Sequence, residues 1–161
     1  PRSPRAITRQ GHREGIVSIF ESWQSPWTAR ALSVLRVVVG VLYFEHGTQK
    51  MFDVPDQGTP HVYHLVSQMG LAGVLETFGG FAILIGLLTR PVAFVLAVEM
   101  IWAYLQVHIR RSFFPINNRG DNVVLFCFVF LYLVAAGGGP WSIDALIARS
   151  KRRALPRTLT G

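Results

Sequence analysis

The sequence has a single cysteine, Cys127, and that scarcity removes several kinds of redox chemistry. One thiol cannot close an intrachain disulfide, run a dithiol relay or ligate an iron–sulfur cluster. Its setting in "LFCFVF" assigns it to packing. Charge is scarce too: 16% of the residues are Asp, Glu, Lys or Arg, against about 25% in an ordinary soluble domain. Polar periodicity is missing. A helix of a water-soluble bundle carries polar residues at every third or fourth position along one face, whereas "LAGVLETFGGFAILIGLL" holds one Glu and one Thr among apolar and glycine residues. No dinucleotide fingerprint is present, because the glycines of "GGFAILIG" and "GGGP" do not open a helix after a strand. They read as close helix contacts and a helix end. The first 28 residues are basic and polar, without a compact apolar region and cleavage site, so the amino terminus is expected to remain in the cytoplasm.

What is present is hydrocarbon. Half of the 161 residues are apolar. Four stretches, 29–51, 71–88, 91–109 and 122–136, approach the ~20 residues that a helix needs to cross a bilayer, the last being a little short. The fold class expected is all-α, a four-helix transmembrane bundle. Basic residues orient it: eleven fall on the side of the two termini (Arg2 to Arg30, Arg90, and Arg149 to Arg157) and four on the other (Lys50, Arg110, Arg111 and Arg119). The positive-inside rule then places both termini in the cytoplasm, and a bacterial plasma membrane is the expected location. The net charge of +7 is accounted for by orientation and by contacts to anionic lipid, with no nucleic acid implied.

Three segments follow: a basic tail over 1–28, a membrane domain over 29–144 and a second basic tail over 145–161. In the first tail, "REGIVSIFESWQ" places Ile16, Ile19, Phe20 and Trp23 on one helical face, which predicts an amphipathic helix lying on the inner leaflet. Trp27 and Trp141 are expected in the aromatic belt, and Asp144 is expected to begin the polar tail.

The spans carry Arg36, His46, Glu76, Glu99 and His108, with Lys50 at the outer rim. Ionisable groups in hydrocarbon are costly unless they face the bundle interior and find partners, so they mark a candidate site. At ~1.5 Å per residue, Arg36 lies about 10 Å and Glu99 about 12 Å in from the cytoplasmic ends of their helices, which suggests a counter-ion pair. His46 and Glu76 both fall in the outer half and form a second expected pair, with Lys50 and His108 near Asp121. Arg36, Tyr43, Gly47 and Lys50 share one line at about 100° per residue, whereas Glu45 points away. The alternative is that these groups only fix helix packing. His61 and His64, at i and i+3, lack a third ligand, so no metal site is assigned. Bis-histidine haem needs two facing histidines at compatible depth. His46 and His108 share the outer half, but the first has an acidic neighbour to pair with and the second lies at the lipid interface, so no haem is assigned.

Arg36, "HGTQK" (46–50), "ETFGGFAILIGLLTR" (76–90), "HIRRSFF" and "GGGPWSID", in this order and spacing, resemble the DoxX family of small four-helix membrane proteins from about Leu32 to Asp144. The resemblance implies association with oxidoreductases, since relatives include a subunit of a thiosulfate:quinone oxidoreductase and a membrane member of an oxidative-stress complex. Glu45 and the long "DVPDQGTPHVYH" connection depart from the usual pattern. A quinone needs hydrogen-bond donors and proton carriers: Arg36, His46, Lys50 and His108 can donate, and Glu76 and Glu99 can relay protons. No covalent cofactor is expected, and electrons would come from a partner complex. A non-catalytic assembly subunit and a small proton-coupled transporter are the alternatives, the latter weakened by the lack of evident repeats or broken helices.

Overall fold

The computed structural model describes residues 26–56 and 63–154. The amphipathic helix expected in the amino-terminal tail, and His61, lie outside the described residues. Helix α1 (Pro26–Phe52) opens with a proline in its first turn, where a missing N–H costs nothing. Helix α2 (Gln68–Ile85) is capped by Ser67, whose hydroxyl accepts the Gly70 N–H at 3.0 Å. It closes on Gly86 at φ 70°, with the Gly86 and Leu87 N–H groups returning to the Ile83 and Ala82 carbonyls. That left-handed end suits glycine because a Cβ is disfavoured there.

Helix α3 (Thr89–Ala103) begins three residues later and runs on through one π-helical turn at Tyr104–His108. A short turn of helix, α4 (Pro115–Asn118), leads into α5 (Asp121–Ala136), which starts with an acidic residue against the positive helix end. Helix α6 (Ile143–Ala154) completes the described residues, among which no strand occurs.

Three stretches, Pro26–Phe52, Gln68–Ile85 and Thr89–His108, are long and apolar enough to cross a membrane, and α5 is apolar but shorter. Their shared core is apolar, with Ile83, Leu96, Met100, Phe130 and Leu133 within it, but α1 inverts the pattern of a soluble bundle. The inward face of α1 carries Ser33, Arg36, Gly40, Tyr43 and Gly47, while Val34, Val38, Val41 and Leu42 point outward. An apolar exterior of this extent is a lipid-facing feature, since soluble monomers rarely expose contiguous apolar surface on that scale.

Helix α1 packs mainly on α2, and α3 mainly on α5. Small residues bring the first pair together. A Cβ at Gly40 would come 2.5 Å from the Leu84 nitrogen, and one at Gly80 2.6 Å from the Phe44 nitrogen, while Gly47 lies against the Thr77 backbone. Such close approach supplies dispersion contacts where lipid gives no hydrophobic drive to association. Gly79 turns the other way and receives Leu96 of α3. The two adjacent glycines therefore serve different neighbours and fix the level of α2 against both.

Candidate functional site

The register set by these glycines decides which charges can meet. Helices α1 and α2 run antiparallel with Gly40 beside Leu84 and Gly80 beside Phe44, so Arg36 stands level with the last residues of α2. There its guanidinium is 1% exposed and donates only to backbone carbonyls. Nε bonds to Gly138 (2.8 Å), Nη1 to Ile83 (2.6 Å) and to Leu84, and Nη2 to Trp141 (3.1 Å). The last carbonyls of a helix lack partners within it and carry partial negative charge. Arg36 is thus the cap of α2 and the anchor of the loop after α5. The expected Arg36–Glu99 pair does not form. Counting depth from residue 29, the start of the expected span, placed Arg36 too far in, because α1 extends well past the end of α2.

Asp144 has the complementary task. Rather than starting a free tail, it accepts the Leu88 and Thr89 N–H groups at 2.8 Å each and so caps α3 from another element. Burial pushes its carboxyl up, but these hydrogen bonds from Thr89 and Leu88, with Arg36 nearby, outweigh burial and hold it below the ordinary carboxylate value. A lowered folded pKa contributes stability that is complete above the unfolded value of about 3.9 and is lost as pH falls through the folded one. Asp144→Ala is expected to cost about 0.5–2 kcal/mol, like the loss of other caps. In thermal melts of both proteins, the gap between wild type and variant should persist at neutral pH and shrink below about pH 4. A gap independent of pH would refute the charged cap.

A second group of polar side chains lies farther along the helices. Lys50 Nζ of α1 meets Glu76 Oε1 of α2 at 2.5 Å, with side-chain exposures of 25% and 4%. The expected His46–Glu76 pair is replaced by this bond. His46 lies one turn earlier on α1 on an exposed face, its ring edge-on to Phe126 of α5 with centroids 5.8 Å apart. It remains within electrostatic reach of Glu76. With Gly79 beside Leu96, stepping three residues outward on each antiparallel helix brings Glu76 level with Glu99, close enough for the Glu76 carboxylate to act electrostatically on Glu99.

Glu99 accepts the Tyr43 hydroxyl at 3.0 Å on Oε2. Tyr43 is fully buried, its ring edge-on to Phe126 and Phe130 at 5.4 and 4.8 Å. The cluster therefore runs Lys50, Glu76, Glu99, Tyr43 across three helices, with His46 at its margin. Two of its atoms, Glu76 Oε2 and Glu99 Oε1, are buried and have no hydrogen-bond partner among the described residues. Tyr43 was not among the expected site residues, although it shares the line of Arg36, Gly47 and Lys50; an aromatic at that position reads as core until its hydroxyl is placed.

His108 is held elsewhere. Its Nδ1 is 3.1 Å from the Asn118 carbonyl and its ring stacks on Tyr104, 6.0 Å between centroids. Buried Asn118 donates to the Tyr104 hydroxyl and the Ser112 carbonyl and accepts the Gly120 N–H. These bonds lock the 109–120 connection onto the π turn. His108 thus belongs to the outer loop and not to the carboxylate cluster, its ring lying against Gly120, the neighbour of Asp121. Cys127 packs against the core, its thiol 3.8 Å from the Ala97 carbonyl. No group of three His, Cys, Asp or Glu suited to a metal occurs among the described residues. An apolar groove of about 370 Å³ lies between α2 and α3, lined by Val74, Phe78, Pro91, Val92 and Val95 among others. It opens on the lipid-facing side of α2, away from the face that carries Glu76.

With this geometry in place, similarity to known proteins is informative. An uncharacterized protein of Haemophilus influenzae is 38% identical over 117 residues, 70% of this chain and 87% of that protein. An uncharacterized membrane protein of Mycobacterium tuberculosis, Rv3486, is 26% identical over 71% of this chain and 80% of its own length. A Bacillus subtilis protein named "Putative oxidoreductase CatD" is 26% identical over 74% and 88% of the two chains. No solved structure matches. The DoxX family model matches residues 31–109, a span that contains Arg36, Lys50, Glu76, Glu99 and His108. On this match and that coverage, the chain belongs to the DoxX family of membrane proteins.

Proposed function

We propose that this protein is an integral membrane subunit of a quinone-linked oxidoreductase, in which the Lys50–Glu76–Glu99–Tyr43 cluster and His46 handle the ligand's polar oxygens and its protons. The observation that carries the reading is the pair of buried, unpartnered carboxylate oxygens, Glu76 Oε2 and Glu99 Oε1. Buried acceptors without donors are rare and unfavourable. Two carboxylates facing one ammonium also leave one negative charge in excess, which a low-dielectric interior tolerates poorly. The cluster is thus built to receive donors, as the hydroxyls of a hydroquinone are, or to carry a proton between its two carboxyls.

A quinone/hydroquinone pair supplies two-electron, two-proton redox chemistry when bound. Lys50 can donate a hydrogen bond to a carbonyl oxygen, and Glu99 and Glu76 can accept hydroxyl protons. The Tyr43 hydroxyl holds Glu99 in place and the Lys50 ammonium holds Glu76. His46, exposed beside Phe126 and within electrostatic reach of Glu76, stands where a proton can pass to or from the cluster. Electrons require a redox partner, because the chain has one cysteine and its described residues offer no metal centre. The CatD name attached to a relative points the same way.

In the proposed topology α1, α2, α3 and the shorter α5 all cross the bacterial plasma membrane, with both termini cytoplasmic and the 53–67 and 109–120 connections outside. In a Cys127→Ser background, a cysteine at Phe113 should react with an impermeant thiol reagent added from outside, and one at Ser150 should not. Labelling of Ser150→Cys from outside would reverse the orientation. For the function itself, the protein should be purified in mild detergent from its native membrane and the extract analysed for quinone and for co-eluting redox subunits. Near-stoichiometric quinone is expected. Neither quinone nor a redox partner in repeated preparations would overturn the assignment.

A further inference from the structure

We infer that α6 is an anionic-lipid-binding helix, lying in the headgroup plane of the leaflet at that end of the bundle. At about 100° per residue, Ile143, Leu146, Ile147, Ser150 and Ala154 fall within one arc of about 100°. Lys151 and Arg153 lie on either flank of the arc, and Arg149 and Arg152 lie behind it. The apolar arc is uncovered: Leu146 is 60% and Ile147 44% exposed, and no residue of α6 is buried.

The ties that hold the helix are at its N-terminal end. Asp144 caps α3, the Ser142 hydroxyl accepts the Ala145 N–H at 3.1 Å, and Arg149 donates to the Pro140 carbonyl at 3.3 Å. Trp141, 59% exposed, precedes the helix by two residues, as an indole at headgroup level would.

Charge and position name the occupant. The apolar stripe is too narrow and too strongly flanked by cations for a protein core, but it suits the boundary between acyl chains and headgroups. There Lys151 and Arg153 can lay their stems on the apolar zone and reach phosphates with their charged ends. The helix also continues the membrane surface, since α5 ends at Ala136, seven residues before α6 begins. This inference rests on α5 crossing the bilayer and not on the ligand proposed for the carboxylate cluster. Because Asp144 of the same helix caps α3 and neighbours Arg36, lipid engagement of α6 also steadies that end of the bundle.

The test uses the full chain in nanodiscs, with Cys127→Ser and a spin label at Ile147→Cys or at Arg152→Cys. Nanodiscs containing phosphatidylglycerol are compared with pure phosphatidylcholine, reading collisions with oxygen, which concentrates in acyl chains, and with a water-soluble paramagnetic nickel chelate. The ratio of oxygen to chelate collisions should be several-fold higher at position 147 than at 152 in phosphatidylglycerol. The difference should fall in phosphatidylcholine, and again when Arg149, Lys151 and Arg153 are replaced by Gln. Equal chelate access at both positions would put the helix in water and overturn the inference. Shielding of position 147 from both reagents would overturn it as well, by showing that protein, such as the chain's own amino-terminal segment, covers the apolar arc. An unchanged ratio in phosphatidylcholine would remove the anionic-lipid specificity.

Discussion

Arg36→Ala is expected to reduce the folded, monodisperse yield to a small fraction of the wild-type value, whatever the protein's ligand. The guanidinium serves the carbonyls of Ile83, Leu84, Gly138 and Trp141, and alanine leaves all but Ile83, which keeps the Gly86 N–H, without donors where little water can enter. Each buried acceptor left unsatisfied costs about 1–3 kcal/mol, so the loss should reach roughly 3 kcal/mol or more, a large share of the ~5–15 kcal/mol by which a domain is typically stable. Arg36→Lys should recover only part of it, since a single ammonium cannot span carbonyls from two segments as the planar fork does. Size-exclusion profiles and melting in detergent measure both variants. A wild-type melting temperature for Arg36→Ala would mean that the α2 end and the 137–142 loop are held by other contacts.

Lys50→Met should also destabilise strongly, but its effect should be reversible by a second change. Removing the ammonium strands Glu76, 3% exposed, beside a second carboxylate, a situation that costs roughly 3–5 kcal/mol. Glu76→Gln in the same chain removes the stranded charge, so the double variant is expected to be more stable than Lys50→Met alone. Melting temperatures of wild type, the two single variants and the double variant complete the cycle, in which neighbours in direct contact are expected to be non-additive. Additive losses would show that the ion pair contributes nothing as a pair and that Glu76 is stabilised by other groups.

These two predictions concern charges that the sequence flagged for the same reason, yet the structure gives them different work. That ionisable groups must turn inward was legible from hydropathy alone, and Arg36, Glu76 and Lys50 are paired in the interior with neighbouring groups. Which group meets which was not legible, because it depends on helix register. Register is set by Gly40, Gly47 and Gly80 through backbone approach and by Gly79 through the Leu96 side chain it receives, and helix ends alone do not report it. Counting from the start of the expected span at residue 29 therefore gave Arg36 the wrong partner, and a long flexible Lys50 reached Glu76 from one turn beyond His46. Tyr43 and Asp144 were missed for a related reason. A buried hydroxyl and a trans cap are read from what they touch, and both contacts join elements more than fifty residues apart in sequence. The close of α2 was legible only to within a few residues: the expected stretch ran on to residue 88, whereas Gly86 ends the helix in a left-handed turn and α3 restarts at Thr89.

The central claim is that the carboxylate pair serves a ligand and does not merely pack helices, and Glu99 is the residue that separates the two. Glutamine at position 99 can still accept the Tyr43 hydroxyl through its amide oxygen, so the bundle should keep its yield and melting temperature. It cannot take a proton or carry the charge that welcomes a hydroxyl donor. The direct measurement is titration of a membrane-soluble hydroquinone into wild-type and Glu99→Gln protein in nanodiscs, with binding expressed per folded molecule. The prediction is saturable binding to wild type and affinity about tenfold weaker in the variant, the consequence of losing roughly 1.4 kcal/mol or more, with folded yield unchanged. Equal affinity in the two proteins, or a loss that only follows a loss of folded protein, would contradict the account and leave the cluster as a packing device.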